Sequence, residues 1–248
     1  GFLGGETNQF HPLLYENTTA IDTPETNADG SEFHISQGMA DQAIKWLDNW
    51  KGLRDVPFFM YYTPGAVHAP IQVPKEWRDK YKGQFDDGWH AYRTQQLERQ
   101  KKLELVPEDA QMVDWPEVLP TWDSFSKEGK AYLARQMEVN AAFLEHVDYH
   151  IGRVIDHIEE MGELDNTLVI YLTADNGCTA EGTPTGTFSE LLMQNGFPPL
   201  TMEQQLEKLE EFGGLEAWGG PHMANHYSVA WAYASSTQFQ WSKQMASH

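Results

Sequence analysis

The residues from Thr167 to Cys178 place the tightest limit on what this chain can fold into. Leu168, Val169, Ile170, Tyr171 and Leu172 follow one another without a polar break, bounded by Asn166 and Gly177. β-Branched and aromatic types dominate, which predicts a buried strand. A strand that is apolar throughout belongs to a sheet covered on both faces. At its carboxyl end stand Asp175, Asn176 and Gly177. In open α/β sheets, ligands sit outside the carboxyl ends of the strands. A carboxylate next to an amide there offers hard oxygens to a cation such as Ca²⁺ or Mg²⁺. The same three residue types also make ordinary turns.

The rest of the chain supplies a setting for that strand. Met39, Ala43, Ile44, Leu47 and Trp50 recur at helical spacing, with Ser36 as the expected N-cap and Gly52 as the expected C-cap. A second apolar run, Phe58 to Tyr62, predicts another buried strand, and it leads into Thr63-Pro64-Gly65-Ala66-Val67-His68-Ala69-Pro70. His68 therefore falls on a loop after a strand end, as Asp175 does. A long helix is predicted from about Gly129 to Met161. With Leu144 as the centre of a helical wheel, Met137, Ala141, Val147, Ile151, Val154, Ile155 and Ile158 share its face. His146, His150 and His157 fall on the opposite face. His146 and His150 have the spacing of metal ligands, but a solvated face is the plainer reading. Helix followed by strand, twice over, gives an α/β fold with helices packed on a mainly parallel sheet.

Between about 71 and 126 the chain is charged, Trp-rich and broken by prolines, and it reads as an ordered excursion over the surface. Trp89, Tyr92, Gln96, Leu97, Gln100 and Leu103 mark one helix within it. Near the end, a short helix is expected from Phe188 to Asn195. Another starts at Thr201, which forms a capping box with Gln204, and stops near Gly213. His222 and His226 are four apart, but without the Glu of an H-E-x-x-H motif they carry little metal signal.

Composition excludes several function classes. The formal net charge is −20, which argues against nucleic acid and against anionic membrane surfaces. An anionic substrate would need a local positive centre. No apolar run of about 18 residues exists to span a bilayer. Cys178 is the single cysteine, so no intramolecular disulfide can form. No signal peptide is visible at Gly1, and the abrupt ends suggest a piece of something longer. A soluble protein of bacterial cytoplasm or periplasm fits, with no oligomeric state indicated.

Several stretches together resemble the sulfatases, and within them the arylsulfatase branch. Phe58 to Tyr62 followed by Gly65-Ala66-Val67-His68-Ala69-Pro70 looks like that family's strand and His-x-Pro loop. Asp148 to Val154 and Leu164 to Val169 lead into Asp175-Asn176-Gly177 as the family's helix and strand do. Gly4 to Gln9, Gly88-Trp89, Arg99-Gln100 and Lys243 to His248 are similar to segments of bacterial arylsulfatases. The resemblance implies an alkaline-phosphatase-like α/β domain, of which residues 1–248 form part, hydrolysing small-molecule or carbohydrate sulfate esters. It implies that Asp175 and Asn176 are metal ligands for Ca²⁺ (or Mg²⁺). It also implies that His68 and Lys243 are catalytic residues that bind sulfate oxygens. The chemistry suits those types, since charge on the sulfuryl oxygens is met by a cation and by hydrogen-bond donors.

The family's formylglycine nucleophile arises from Cys or Ser in a C/S-x-P-x-R motif, and no such motif occurs here. Cys178 precedes Thr179 and Ala180 and does not match. The nucleophile and a first Asp pair are therefore expected outside this chain, and the chain alone is expected to be inactive. Two other readings compete. One is a phosphatase or phosphodiesterase of the same superfamily, which would need two metals and more Asp and His ligands. The other is a non-catalytic carbohydrate-binding module, which the nine Trp would suit but which is usually a β-sandwich.

Overall fold

A computed structural model describes residues 1–53, 55–173, 177–189, 191–237 and 239–243, with the side chains of 193 and 194 also outside the description. A 34-residue helix, α4 (Lys127–Glu160), runs through the molecule. Its start is fixed by Ser126, whose hydroxyl accepts from the Gly129 amide, and Glu128 places negative charge at the positive end of the helix dipole. At its other end Gly162 takes φ +74°. The Glu163 amide then donates back to the Ile158 carbonyl, a glycine-terminated stop. Before it come a small antiparallel hairpin, β1 (Leu14–Glu16) and β2 (Thr19–Ile21), paired Leu14 to Ile21 and Glu16 to Thr19, and helix α1 (Ile35–Trp50). Helices α2 (Lys75–Arg78) and α3 (Gly88–Lys102) follow. After α4 come α5 (Leu191–Gln194), α6 (Met202–Glu211) and α7 (Val229–Ser235).

Two apolar clusters flank α4. The larger joins Tyr132, Leu133, Met137, Val139 and Phe143 of α4 to Ile71, Val73, Trp89, Trp122, Trp218 and Trp231. Trp89 is its hub, stacked with Trp115 and edge-on to Trp122, Phe125 and Trp231. Residues 71–126 thus supply core side chains and are more than a surface covering, because their aromatics find α4 and α7 as a floor. The smaller cluster joins Ala40, Ala43 and Leu47 of α1 to Val154, Ile158 and Met161, with Phe58, Met60 and Tyr62 packed against it.

Neither predicted strand is paired into a sheet among the described residues. Among the described residues the named sheet is the two-stranded hairpin, and the mainly parallel sheet is not present. Residues 57–62 and 167–173 carry no strand assignment. Leu168 is 85% exposed and Leu172 90%. Phe59 is 86% exposed although its neighbours Phe58 and Met60 pack inward. The alternation belongs to an extended segment with one face on the helices and one face bare. Helix caps differ in detail. The N-cap of α1 is His34, whose Nδ1 accepts from the Ser36 amide; Ser36 lies inside the helix, and the Lys51–Leu53 turn continues past Trp50. The Thr201–Gln204 capping box forms as read from sequence. The short helix expected from Phe188 to Asn195 is only the single turn of α5.

The predicted inward face of α4 holds in part: Met137, Val147, Val154 and Ile158 are buried, but Leu144 is 53% exposed, and His146 and His150 are buried. Polar pairing explains the difference. Arg153 donates to Nδ1 of His150 at 3.0 Å and to Asp41 at 2.7 Å. Because Nδ1 of His150 must accept, its Nε2 carries the proton and donates to Nε2 of His146 at 3.1 Å. His34 packs edge-on against His146, and its Nε2 donates to the Gln72 carbonyl at 3.1 Å. The cluster is neutral and binds α1 and residue 72 to α4. His157 instead meets Asp48 at 3.0 Å.

Burial pushes His34 down to about 4, His150 to about 4 and His146 to about 2, from an ordinary 6.5. The folded state then binds fewer protons than the unfolded chain below about pH 6.5, so stability is full above that pH and falls as pH drops toward 4. We expect the urea midpoint to decline steadily from pH 7 to pH 5, and less steeply in His146→Phe. A flat wild-type profile would contradict the neutral cluster.

Candidate functional site

His68 sits on the loop after the extended segment 57–62, where its amide donates to the Gly65 carbonyl at 3.0 Å. The chain then runs alongside residues 219–225. Ile71 donates to the Asn225 carbonyl and Val73 to that of Gly219, each at 3.0 Å. Gln72 is fully buried and its amide group donates to the Met223 carbonyl at 2.5 Å. Its Oε1 accepts from the Gln9 amide at 2.8 Å. These bonds hold His68 beside two other segments, the amino-terminal stretch and the approach to α7.

The second side of the site is the turn that follows Gly177. Gly177 has φ +86°, and a Cβ there would meet Ser236 Oγ at 3.1 Å and the Lys243 amide at 3.4 Å. That amide donates to the Cys178 carbonyl at 2.9 Å. Glu181 lies next along this turn and accepts from Thr179 Oγ1 at 2.7 Å. The Thr179 bond holds its carboxyl below the usual range against the opposing effect of burial, and Lys243 and His68 add to the lowering. His68 and Lys243, 175 positions apart in the chain, thus both lie within electrostatic reach of one carboxylate.

His226 forms the floor. Its backbone pairs in both directions with Thr187, at 3.0 and 2.9 Å. Its Nδ1 lies 3.0 Å from the Tyr227 carbonyl. A carbonyl only accepts, so Nδ1 carries the proton, and Nε2 is a buried acceptor with no partner among the described residues. Burial lowers this ring to about 4, so it is neutral at pH 7. The Cys178 thiol is pushed up by burial, which fits its absence from the nucleophile motif.

Asp175 and Asn176, the expected metal ligands, lie outside the described residues. Their oxygens suit a hard cation. Among the described residues no group of three His, Cys, Asp or Glu side chains could hold a metal ion. Glu181 and Glu6 carried no signal in the sequence, and His226 stood out only as a weak metal pair with His222. Their proximity to His68 and Lys243 depends on contacts between distant segments.

The site groups a lysine, a histidine and carboxylates at a loop cluster. A family model described as Sulfatase matches residues 4–241, and the chain belongs to the sulfatase family. It is 34% identical over 231 residues to an uncharacterized sulfatase of Schizosaccharomyces pombe, an alignment covering 89% of this chain and 39% of that protein. It is 26% identical over 246 residues to an arylsulfatase of Klebsiella aerogenes, covering 96% and 51%. A sulfatase of Formosa agariphila is 26% identical over 156 residues, covering 61% and 29%. The chain thus spans about half or less of the length of these relatives. Among the described residues, no helix is long and apolar enough to cross a membrane.

Gly182 ties the turn to the floor. A Cβ on it would overlap the Tyr227 carbonyl and approach His226 Nδ1 to 2.7 Å. Gly182→Ala must move that backbone, and we expect a cost of about 1–3 kcal/mol. An unchanged thermal midpoint would show that the turn is looser than described.

Proposed function

We propose that this chain forms part of the catalytic domain of an arylsulfatase-type sulfuric ester hydrolase. Its substrate would be a small-molecule or carbohydrate sulfate ester, cleaved to an alcohol or phenol and sulfate. The observation that carries the reading is that Lys243, tied to the Cys178 carbonyl at 2.9 Å, and His68 both lie within electrostatic reach of Glu181, because these are the two residues whose motif positions match sulfate ligands. Lys243 would donate from Nζ and His68 from its ring to non-bridging sulfate oxygens. Both orient the sulfate group and spread its charge as the bond from sulfur to the leaving oxygen breaks. Glu181, restrained by Thr179, would keep Lys243 extended toward the substrate.

Asp175 and Asn176 are proposed to contribute oxygens to one Ca²⁺ (or Mg²⁺), which when bound would add positive charge at the sulfate. The formylglycine expected of the family, lying outside these residues, would supply the nucleophile. The exposed segments 57–62 and 167–173 are proposed as strands of the mainly parallel sheet of an alkaline-phosphatase-like domain. Their support is the alternating burial of 57–62 and the approach of the Tyr171 hydroxyl to Asp148 of α4 at 3.4 Å.

In the complete protein, His68→Ala and Lys243→Ala should each lower kcat/KM on an aryl sulfate by about 2–4 kcal/mol, as loss of an oxyanion donor does. Wild-type kinetics in either variant would remove that residue from the site. Asp175→Ala should lose bound metal by elemental analysis, and full occupancy would refute the ligand assignment.

A further inference from the structure

The amino-terminal segment places a carboxylate against His68. Glu6 Oε2 lies 3.5 Å from His68 Nδ1. The Ala69 carbonyl lies 3.1 Å from the same nitrogen. A carbonyl can only accept, so Nδ1 donates to Ala69 and the tautomer is fixed, while the Glu6 carboxylate stands at ion-pair distance from the same nitrogen. The opposite ring nitrogen, Nε2, makes no hydrogen bond among the described residues. Glu6 is itself held at two anchors. On one side Phe2 packs over Gly65 of the His68 loop, so closely that a Cβ there would meet its ring at 2.7 Å. On the other, Gln9 donates to Gln72 at 2.8 Å. Phe2 is in turn packed on Leu14, Phe33 and Ile35.

A carboxylate near an anion site is unfavourable unless it faces something other than the anion. Here it faces the back of the ring. We propose that Glu6 is a positioning residue of the sulfate ester site: with the Ala69 carbonyl it holds the Nδ1 proton of His68 and aims the Nε2 edge at the sulfate group. The inference rests on His68 being a sulfate ligand, as argued above. With Nδ1 committed, Nε2 presents a proton to sulfate only in the doubly protonated ring, and the Glu6 carboxylate faces the positive charge of that form. Carboxylates that orient a histidine in this way carry much of its effect without touching substrate.

The test uses the complete, active protein and the variants Glu6→Gln, His68→Ala and both together, with kinetics on an aryl sulfate and inhibition by inorganic sulfate. His68→Ala should lower kcat/KM by about 10²–10³-fold, and Glu6→Gln by about 10–100-fold. The Glu6→Gln loss should divide between kcat and KM as it does in His68→Ala, and sulfate inhibition should weaken in both. The double variant should match His68→Ala alone, because residues acting through one group are not additive. Glu6→Gln keeps the side chain's size, and Glu6→Met, of similar length, should show the same pattern with an unchanged thermal midpoint. If His68→Ala is impaired while Glu6→Gln is normal, or if the two losses add, the positioning role is overturned and the sulfate reading survives. If His68→Ala keeps wild-type activity, His68 is not a sulfate ligand and the inference fails with that reading.

Discussion

The buried polar side chains of α4 constrain the rest of the molecule. Gln136 is fully buried, and both ends of its amide are used. Nε2 donates to the Thr185 carbonyl and Oε1 accepts from the Ser228 amide, each at 2.9 Å. One residue earlier, Arg135 reaches Asp79 at 2.8 Å, the Arg78 carbonyl at 2.9 Å, Glu138 at 3.1 Å and the Leu215 carbonyl at 3.2 Å. Leaving any such buried group unpaired would cost on the order of 1–3 kcal/mol. The loops around α4 therefore have few alternatives. Thr185 and Ser228 flank the turn and the floor of the site, so the helix that looks purely structural sets where Glu181 and His226 lie.

That constraint explains what could be read from the sequence. Helices were legible where their signals are local. Gly162 and the Thr201–Gln204 box act within a few residues of the ends they define, and α3, α4 and α6 lie close to their expected spans. The inward face of α4 was legible only in part, through Met137, Val147, Val154 and Ile158. The apolar count favoured Leu144, but His146 and His150 are buried because Arg153, Asp41, His34 and Gln72 arrive from elsewhere to pair or pack with them. Periodicity records what a face is made of and says nothing of which distant groups will meet it. The same limit applies to Leu168 to Leu172. Their composition gives an extended apolar segment, while burial depends on what lies against it.

Within the proposed site, His68 and Lys243 were marked out in the sequence by motif position, and both lie within electrostatic reach of Glu181. Glu181, Glu6 and His226 were not, since a single Glu or His in a loop has no pattern to separate it from a solvated one. Each acquires meaning only through a named contact: Thr179 for Glu181, His68 for Glu6 and the Tyr227 carbonyl for His226.

Those contacts also bear on how a chain of net charge −20 would accept the anionic ester proposed for it. Charges more than about 8 Å away are largely screened at physiological ionic strength, so the balance is decided by the few groups near the sulfate. Of the acidic side chains there, Glu181 accepts from Thr179 and is drawn down by Lys243 and His68, while Glu6 faces the back of the His68 ring. His226 is neutral and adds no opposing charge. Glu6 stands at ion-pair distance from the His68 ring, while Glu181 is held by Thr179 with Lys243 in its electrostatic reach. A histidine held in this manner would lose less entropy on closing on an anion than an unrestrained side chain would. Under the proposed function, local acidity and anion binding are compatible because these acids face the basic groups and not the ester.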